Sequence, residues 1–201
     1  MYKLIKKSRY DYLTSIESKY DEKCQERFLL KQHWDKQQRL ISNLTIILKN
    51  NKATIYDIQP NRYGITTYIC LKDNRDNNGN KELSIFVINS EIYPTKKNNG
   101  HREMPYLDTN FSENQINLLE LHCDMKNGLY EKQGYATMML NALKQIAKES
   151  GFYVIKGRLY EGDAQTEEEK KNRNDFYINY GFSVEFENET CENGNFQLAL
   201  S

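Results

Sequence analysis

The 201-residue chain has a formal net charge of +0, so no global field draws it to nucleic acid or to an anionic membrane surface. No apolar stretch approaches the roughly 20 residues that cross a bilayer, and the basic start, Met1 to Lys7, lacks the apolar run of a signal peptide. Four scattered cysteines, Cys24, Cys70, Cys123 and Cys191, form no Cys-x-x-Cys pair, which argues against a zinc or redox motif and for reduced thiols in a cytoplasmic protein.

The length suits one domain with an appendage. In residues 1–50, Leu13, Ile16, Tyr20, Cys24 and Phe28 recur at helical spacing, and Trp34, Gln37, Leu40, Ile41, Leu44 and Leu48 continue it. This predicts an amphipathic helical extension, in one piece or broken near His33-Trp34-Asp35. Its stripe either packs on its own domain, the commoner arrangement, or meets another chain, as in a homodimer. Basic residues dominate this segment and acids dominate beyond residue 160, from Glu161 through Glu167-Glu168-Glu169 to Glu192. The two could attract each other, or be two solvated faces.

Residues 51–201 read as the main domain. Ala53 to Ile58, Ile65 to Leu71 and Leu83 to Ile88 have strand patterning, with a polar turn carrying Asn78-Gly79, and together predict an antiparallel meander. From Tyr93 to Asn114 periodicity is lost around Pro94, Gly100 and Pro105, predicting a loop of about twenty residues. Ile116 to Cys123 is an apolar strand. A loop then opens a helix at Gly134 and Ala136, whose apolar positions Met139, Leu140, Leu143, Ile146 and Ala147 run up to Gly151. A strand from Tyr153 to Leu159 follows, then an acidic, helix-prone segment from Thr166 that ends in Asn174 to Phe182. Val184 to Glu187 and Phe196 to Leu200 form a closing hairpin around Asn193-Gly194.

The order strand, Gln133-Gly134-Tyr135-Ala136 loop, helix, strand, helix ending Phe176-Tyr177-Ile178-Asn179-Tyr180-Gly181-Phe182 resembles the acetyl-CoA-binding core of the GNAT superfamily of N-acetyltransferases. It covers about residues 116 to 184. It implies an α/β (α+β) fold: a central mixed, mostly antiparallel twisted sheet flanked by helices, here with an N-terminal helical extension. It also implies acetyl-CoA as co-substrate without a metal, transfer of an acetyl group to a primary amine on a small molecule or protein, and the 93–114 loop beside the acceptor. Glu131 stands where the family has Arg or Gln, which leaves the pyrophosphate to backbone N–H groups.

The resemblance assigns cofactor contacts to Lys132, Gln133, Gly134, Tyr135, Ala136 and Thr137, to the strand end Leu121, His122 and Cys123, and to Asn174 along the pantetheine arm. A helix start with unpartnered N–H groups suits a phosphate independently of any family. Tyr177 is the candidate acid for the departing thiolate; Phe176 and Tyr177 could equally be core anchors. Glu120, inside the apolar run Leu118-Leu119-Glu120-Leu121, is the candidate base: burial would raise its pKa, and its strand position resembles the histone-acetyltransferase branch. Alternatively, it is a solvated or lysine-paired carboxylate. His122 shares its strand face by period two and could relay a proton or be structural.

Gly134 belongs to no G-x-x-x-x-G-K-[ST] run, and no second loop glycine supports a dinucleotide site. Two rivals stay open: a non-catalytic interaction module of the same fold, and a toxin-type acetyltransferase acting on aminoacyl-tRNA, although the net charge does not favour nucleic acid.

Overall fold

The computed structural model describes residues 2–75, 79, 81–90, 104–123, 132–164, 166–187 and 189–200, with side chains from residue 9 onward. The chain divides into two compact units, Met1–Asn43 and Leu44–Ser201.

The first helix, α1 (Tyr2–Asn51), is continuous. It contains neither Gly nor Pro, and His33 bonds Gln37 one turn on, at 2.9 Å, so the expected break at 33–35 does not occur. In the first unit the apolar stripe is exposed: Leu13 by 55%, Ile16 by 46%, Tyr20 by 69%, with Phe28 and Trp34 similar. The end of α1 belongs to the second unit, where Leu44 and Ile47 are buried; the unit boundary therefore falls before residue 51. Lys52 then stops the helix at φ 52°, and the Ala53 N–H donates to Leu48 O at 2.9 Å.

In the second unit the strands are β1 (Thr54–Pro60), β2 (Thr66–Arg75), β3 (Lys81–Asn89), β4 (Tyr106–Ser112), β5 (Gln115–His122), β6 (Val154–Leu159), β7 (Ser183–Phe186) and β8 (Gly194–Ala199). Helix α2 (Tyr135–Glu149) lies between β5 and β6 in sequence; a 3₁₀ turn (Glu161–Asp163) and α3 (Glu167–Tyr180) lie between β6 and β7. Among the described residues, one eight-stranded sheet has the order β1-β2-β3-β4-β5-β6-β8-β7. The pairs are antiparallel except β5 with β6, which is parallel. The expected mixed, mostly antiparallel sheet with its opening meander is what forms.

The expected 93–114 loop needs correction. Residues 106–112 form β4, which pairs Leu107 with Ile85 on one side and with Leu121 on the other. Residues 91–103 lie outside the described residues. The closing hairpin forms, but Gly194 is not in its turn: it opens β8 opposite Phe186, and a side chain there would meet Glu185 O at 2.6 Å.

The core centres on β3, whose Ile85, Phe86, Val87 and Ile88 are fully buried. Of the face read from its spacing, helix α2 buries Met139, Leu140, Leu143 and Ala147, while Ile146 is half-buried; it buries Met138 besides, and each large buried side chain contributes about 1.5–3 kcal/mol. Helix α3 starts on a capping box between Thr166 and Glu169 and ends at Gly181, whose φ of 107° lets the Phe182 N–H reach Tyr177 O at 3.0 Å.

Candidate functional site

The parallel β5–β6 ladder runs from Gln115–Val154 to Leu118–Gly157 and stops. β5 continues to His122 paired with β4, while β6 continues to Leu159 paired with β8. The two strands therefore part, and the backbone of Leu119 to His122 has no β6 partner among the described residues. The register on β4 shifts at this point: Thr109 faces Leu118 and Asp108 faces Glu120, so Leu119 is a bulge residue.

A cavity of about 350 Å³ lies at the parting, lined by Leu119, Glu120, His122, Arg158, Arg173 and Tyr177 among others. A second, of about 590 Å³, is lined by Lys72, Arg75, Glu82 and Asp108, and shares Leu119, Glu120 and Asp163 with the first. Glu120 thus stands where the two meet.

Tyr177 stacks on Phe196 with centroids 4.2 Å apart and meets Phe182 edge-on at 5.5 Å. Phe182 in turn meets Phe196 at 5.2 Å. The Phe-Tyr-x-x-x-Gly-Phe sequence therefore builds an aromatic core as well as a cavity wall. Burial, with smaller contributions from Asp163 and Cys123, raises the Tyr177 pKa well above that of an ordinary phenol; Arg173 opposes this weakly. Tyr177 holds its proton at neutral pH, so it is a hydrogen-bond donor.

Glu120 is exposed, so the burial on which its reading as a base drew is not there. The bulge at Leu119 explains why. It shifts the strand phase, so the apolar run does not imply a buried position for Glu120, and Leu119 itself is 51% exposed. Glu120 and His122 face Asp108 and Tyr106, which are two apart on β4, so they share a strand face as period two predicts. The Tyr106 hydroxyl donates to Glu120 Oε1 at 2.5 Å, and its ring lies 5.4 Å from that of His122. Leu121 and Cys123, like His122, are half-buried, and burial pushes the Cys123 thiol up to about 12.

At the start of α2, Gly134 has φ 84° and no side chain caps the helix. The N–H groups of Tyr135, Ala136 and Thr137 precede the first intrahelical bond, Met138 N–H to Gly134 O at 3.0 Å. Side chains here serve structure. The Gln133 carbonyl accepts from Asn61 Nδ2 at 2.8 Å and from the Tyr135 hydroxyl at 2.7 Å, while Asn89 Nδ2 donates to the Tyr135 oxygen at 2.6 Å. Asn61 Oδ1 accepts two N–H groups of its own turn, from Tyr63 and Ile65. A buried amide network therefore ties the β1–β2 turn to this loop. Lys132 is exposed at φ 59°; Tyr130 and Glu131 lie outside the described residues.

Asn174 is buried on α3. Its amide donates to Cys191 O at 3.2 Å and accepts from Arg173 Nε at 3.1 Å. Arg173, which the sequence reading missed, also donates to Tyr160 O at 2.7 Å and Glu192 O at 3.0 Å, so a residue of the cavity wall ties the two loops together. No sequence signal marks it, because most of its partners, the carbonyls of Tyr160, Cys191 and Glu192, are distant in sequence.

No protein-family model matches the chain, and no curated protein matches it. Solved structures do resemble it. An N-acetyltransferase from Thermoplasma acidophilum in complex with coenzyme A is 15% identical over 61% of this chain, with a TM-score of 0.41. The ribosomal-protein-S18-alanine N-acetyltransferase from Escherichia coli is 14% identical over 60% of this chain and 70% of its own, with a TM-score of 0.40. A nourseothricin acetyltransferase is 7% identical over 74% of this chain and 85% of its own, with a TM-score of 0.42. The chain spans 62% of the length of the Thermoplasma protein.

Proposed function

We propose that the chain is an acetyl-CoA-dependent N-acyltransferase that moves an acetyl group to a primary amine. The observation that supports this best is the parting of β5 and β6 beyond Leu118–Gly157, with the Tyr177 cavity in the gap. An open strand edge suits an extended, amide-bearing arm such as pantetheine, which can add to it as a further strand would. The start of α2 at Gly134, which no side chain caps, suits the pyrophosphate, as the resemblance to GNAT enzymes implies.

In this reading acetyl-CoA is the co-substrate and supplies the thioester. The amine nitrogen bonds to the thioester carbonyl carbon, and the carbonyl electron pair moves to oxygen. Glu120 takes the proton the nitrogen sheds. Collapse re-forms the carbonyl and breaks the carbon–sulfur bond. Tyr177 donates a hydrogen bond to the departing thiolate. A full proton transfer would run uphill, because its raised pKa exceeds the roughly 8.5 of a thiol; solvent completes the protonation.

Calorimetry with acetyl-CoA, followed by turnover on a panel of amines, tests the proposal. A second reading, a module of the same fold that binds a partner and no cofactor, draws on the exposed stripe of α1. Wild-type protein that binds no acetyl-CoA selects it. The aminoacyl-tRNA reading is tested by including a charged tRNA in the panel.

A further inference from the structure

The contact between Tyr106 and Glu120 joins a buried side chain to an exposed one. Tyr106 is 5% exposed and sits on β4 between β3 and β5, paired with Phe86 and His122. Its ring is fixed by that packing, so its hydroxyl is a fixed donor. Glu120 lies where the two cavities meet, and the donor reaches one carboxylate oxygen at 2.5 Å. Among the described residues Glu120 forms no ion pair. The charged groups around it are mixed in sign: Asp108 opposite it, Lys72 and Arg75 on β2, Glu82 on β3, Asp163 on the 3₁₀ turn, and Arg158 and Arg173 across the first cavity.

An exposed glutamate on its own samples many rotamers, which spoils its use in a reaction that needs one geometry. A charge-assisted hydrogen bond from a buried phenol removes that freedom while leaving the second carboxylate oxygen open. We infer that Tyr106 is a positioning residue, which holds the Glu120 carboxylate at the junction of the two cavities to receive the proton of the attacking amine. This rests on the acyltransferase reading. The amine enters by the larger cavity, the thioester lies in the smaller one, and the proton passes from nitrogen to the free oxygen of Glu120 as the carbon–nitrogen bond forms. It then leaves to solvent, to which Glu120 is open.

The test is a double-mutant cycle on the full chain, with acetyl-CoA and an amine that the wild type turns over. Tyr106→Phe keeps the ring and removes the donor. It should lower kcat about tenfold, with the acetyl-CoA Kd unchanged. Glu120→Gln should lower kcat further, and adding Tyr106→Phe to it should cost nothing more, because the hydroxyl acts through the carboxylate. Glu120→Asp, which draws the carboxylate back from the hydroxyl, should behave like Tyr106→Phe and serves if that variant fails to fold. Wild-type kcat in Tyr106→Phe or Glu120→Asp overturns the inference, as does a double variant whose loss is the product of the single losses. Wild-type protein that binds no acetyl-CoA overturns the acyltransferase reading and this inference with it. Binding and turnover with an additive cycle overturn the inference alone.

Discussion

Phe196 occupies the space that any side chain at Gly157 would need: a methyl group there would lie 2.1 Å from Phe196 Cζ. The two residues face each other across the β6–β8 ladder, and the same ring stacks on Tyr177. Gly157→Ala should therefore displace Phe196 and destabilise the domain by about 1–3 kcal/mol, as overpacking does. Urea unfolding measures it. Adding Phe196→Leu should recover part of the loss. A Gly157→Ala variant as stable as wild type would mean that the ring moves aside freely.

The role of Tyr177 has its own signature. Tyr177→Phe keeps the ring stack and should lower kcat by roughly 10²-fold, with KM for acetyl-CoA nearly unchanged. The sign of the pH dependence follows from burial. The donor is the protonated phenol, and its pKa is raised above 10, so its contribution persists through neutral and mildly alkaline pH and is lost only above the raised value. A wild-type rate that falls between pH 8 and 10, with the fall abolished in Tyr177→Phe, would contradict this.

At Gly134 the structure changes the physical reason for the glycine. A side chain would meet nothing nearer than Arg62 Cβ at 3.9 Å, so the position is not crowded; the φ of 84° is what demands glycine. Gly134→Val should then strain the backbone, on the order of 1–3 kcal/mol, as well as weaken acetyl-CoA binding tenfold or more. Gly134→Asn, which tolerates a left-handed backbone, should keep most of the stability. Melting curves and calorimetry on the pair separate the two effects, and equal stability of all three proteins would refute the strain.

Much of the fold could be read directly because its pattern is local. The helical spacing of Met139, Leu140, Leu143 and Ala147 is a property of α2 alone, and all four are buried. β4 escapes the sequence reading because Asp108 and Asn110 carry no strand signature; the strand is held by its neighbours, Thr109 Oγ1 on Leu83 O of β3 at 3.1 Å and Asn117 Nδ2 of β5 on Asn110 Oδ1 at 2.8 Å. That error hid Tyr106, and with it the contact to Glu120. The bulge at Leu119 was equally invisible, since a shift of register leaves no mark on composition. Asn61 and Arg173 escaped because their partners are distant loops.

The thiols offer a test independent of activity. Burial pushes Cys70 and Cys123 each up to about 12, whereas Cys24 is exposed on α1. At pH 8 the thiolate fraction of a group near 12 is on the order of 10⁻⁴, against about a quarter for an ordinary thiol. In a Cys191→Ser background, which removes the remaining half-buried thiol, a disulfide reagent should modify Cys24 at once and Cys70 and Cys123 slowly, with Cys24→Ser removing the fast phase. Fast labelling of Cys123 in that variant would show its surroundings to be wet.

The stripe on α1 yields the last prediction. Leu13, Ile16, Tyr20 and Phe28 are exposed, and they belong to the unit Met1–Asn43. Ile16→Asp and Tyr20→Asp should therefore leave the melting temperature and acetyl-CoA binding of the domain unchanged, whereas charges in a core would cost several kcal/mol. Both substitutions keep Lys19 and Lys23 on the same helix, so solubility should improve if it changes at all. Light scattering on the same proteins reads the mass. A fall from a multiple of 23.8 kDa to 23.8 kDa with folding intact would show that copies of the chain meet through the stripe. Unfolding of the domain would show instead that the stripe is a buried face.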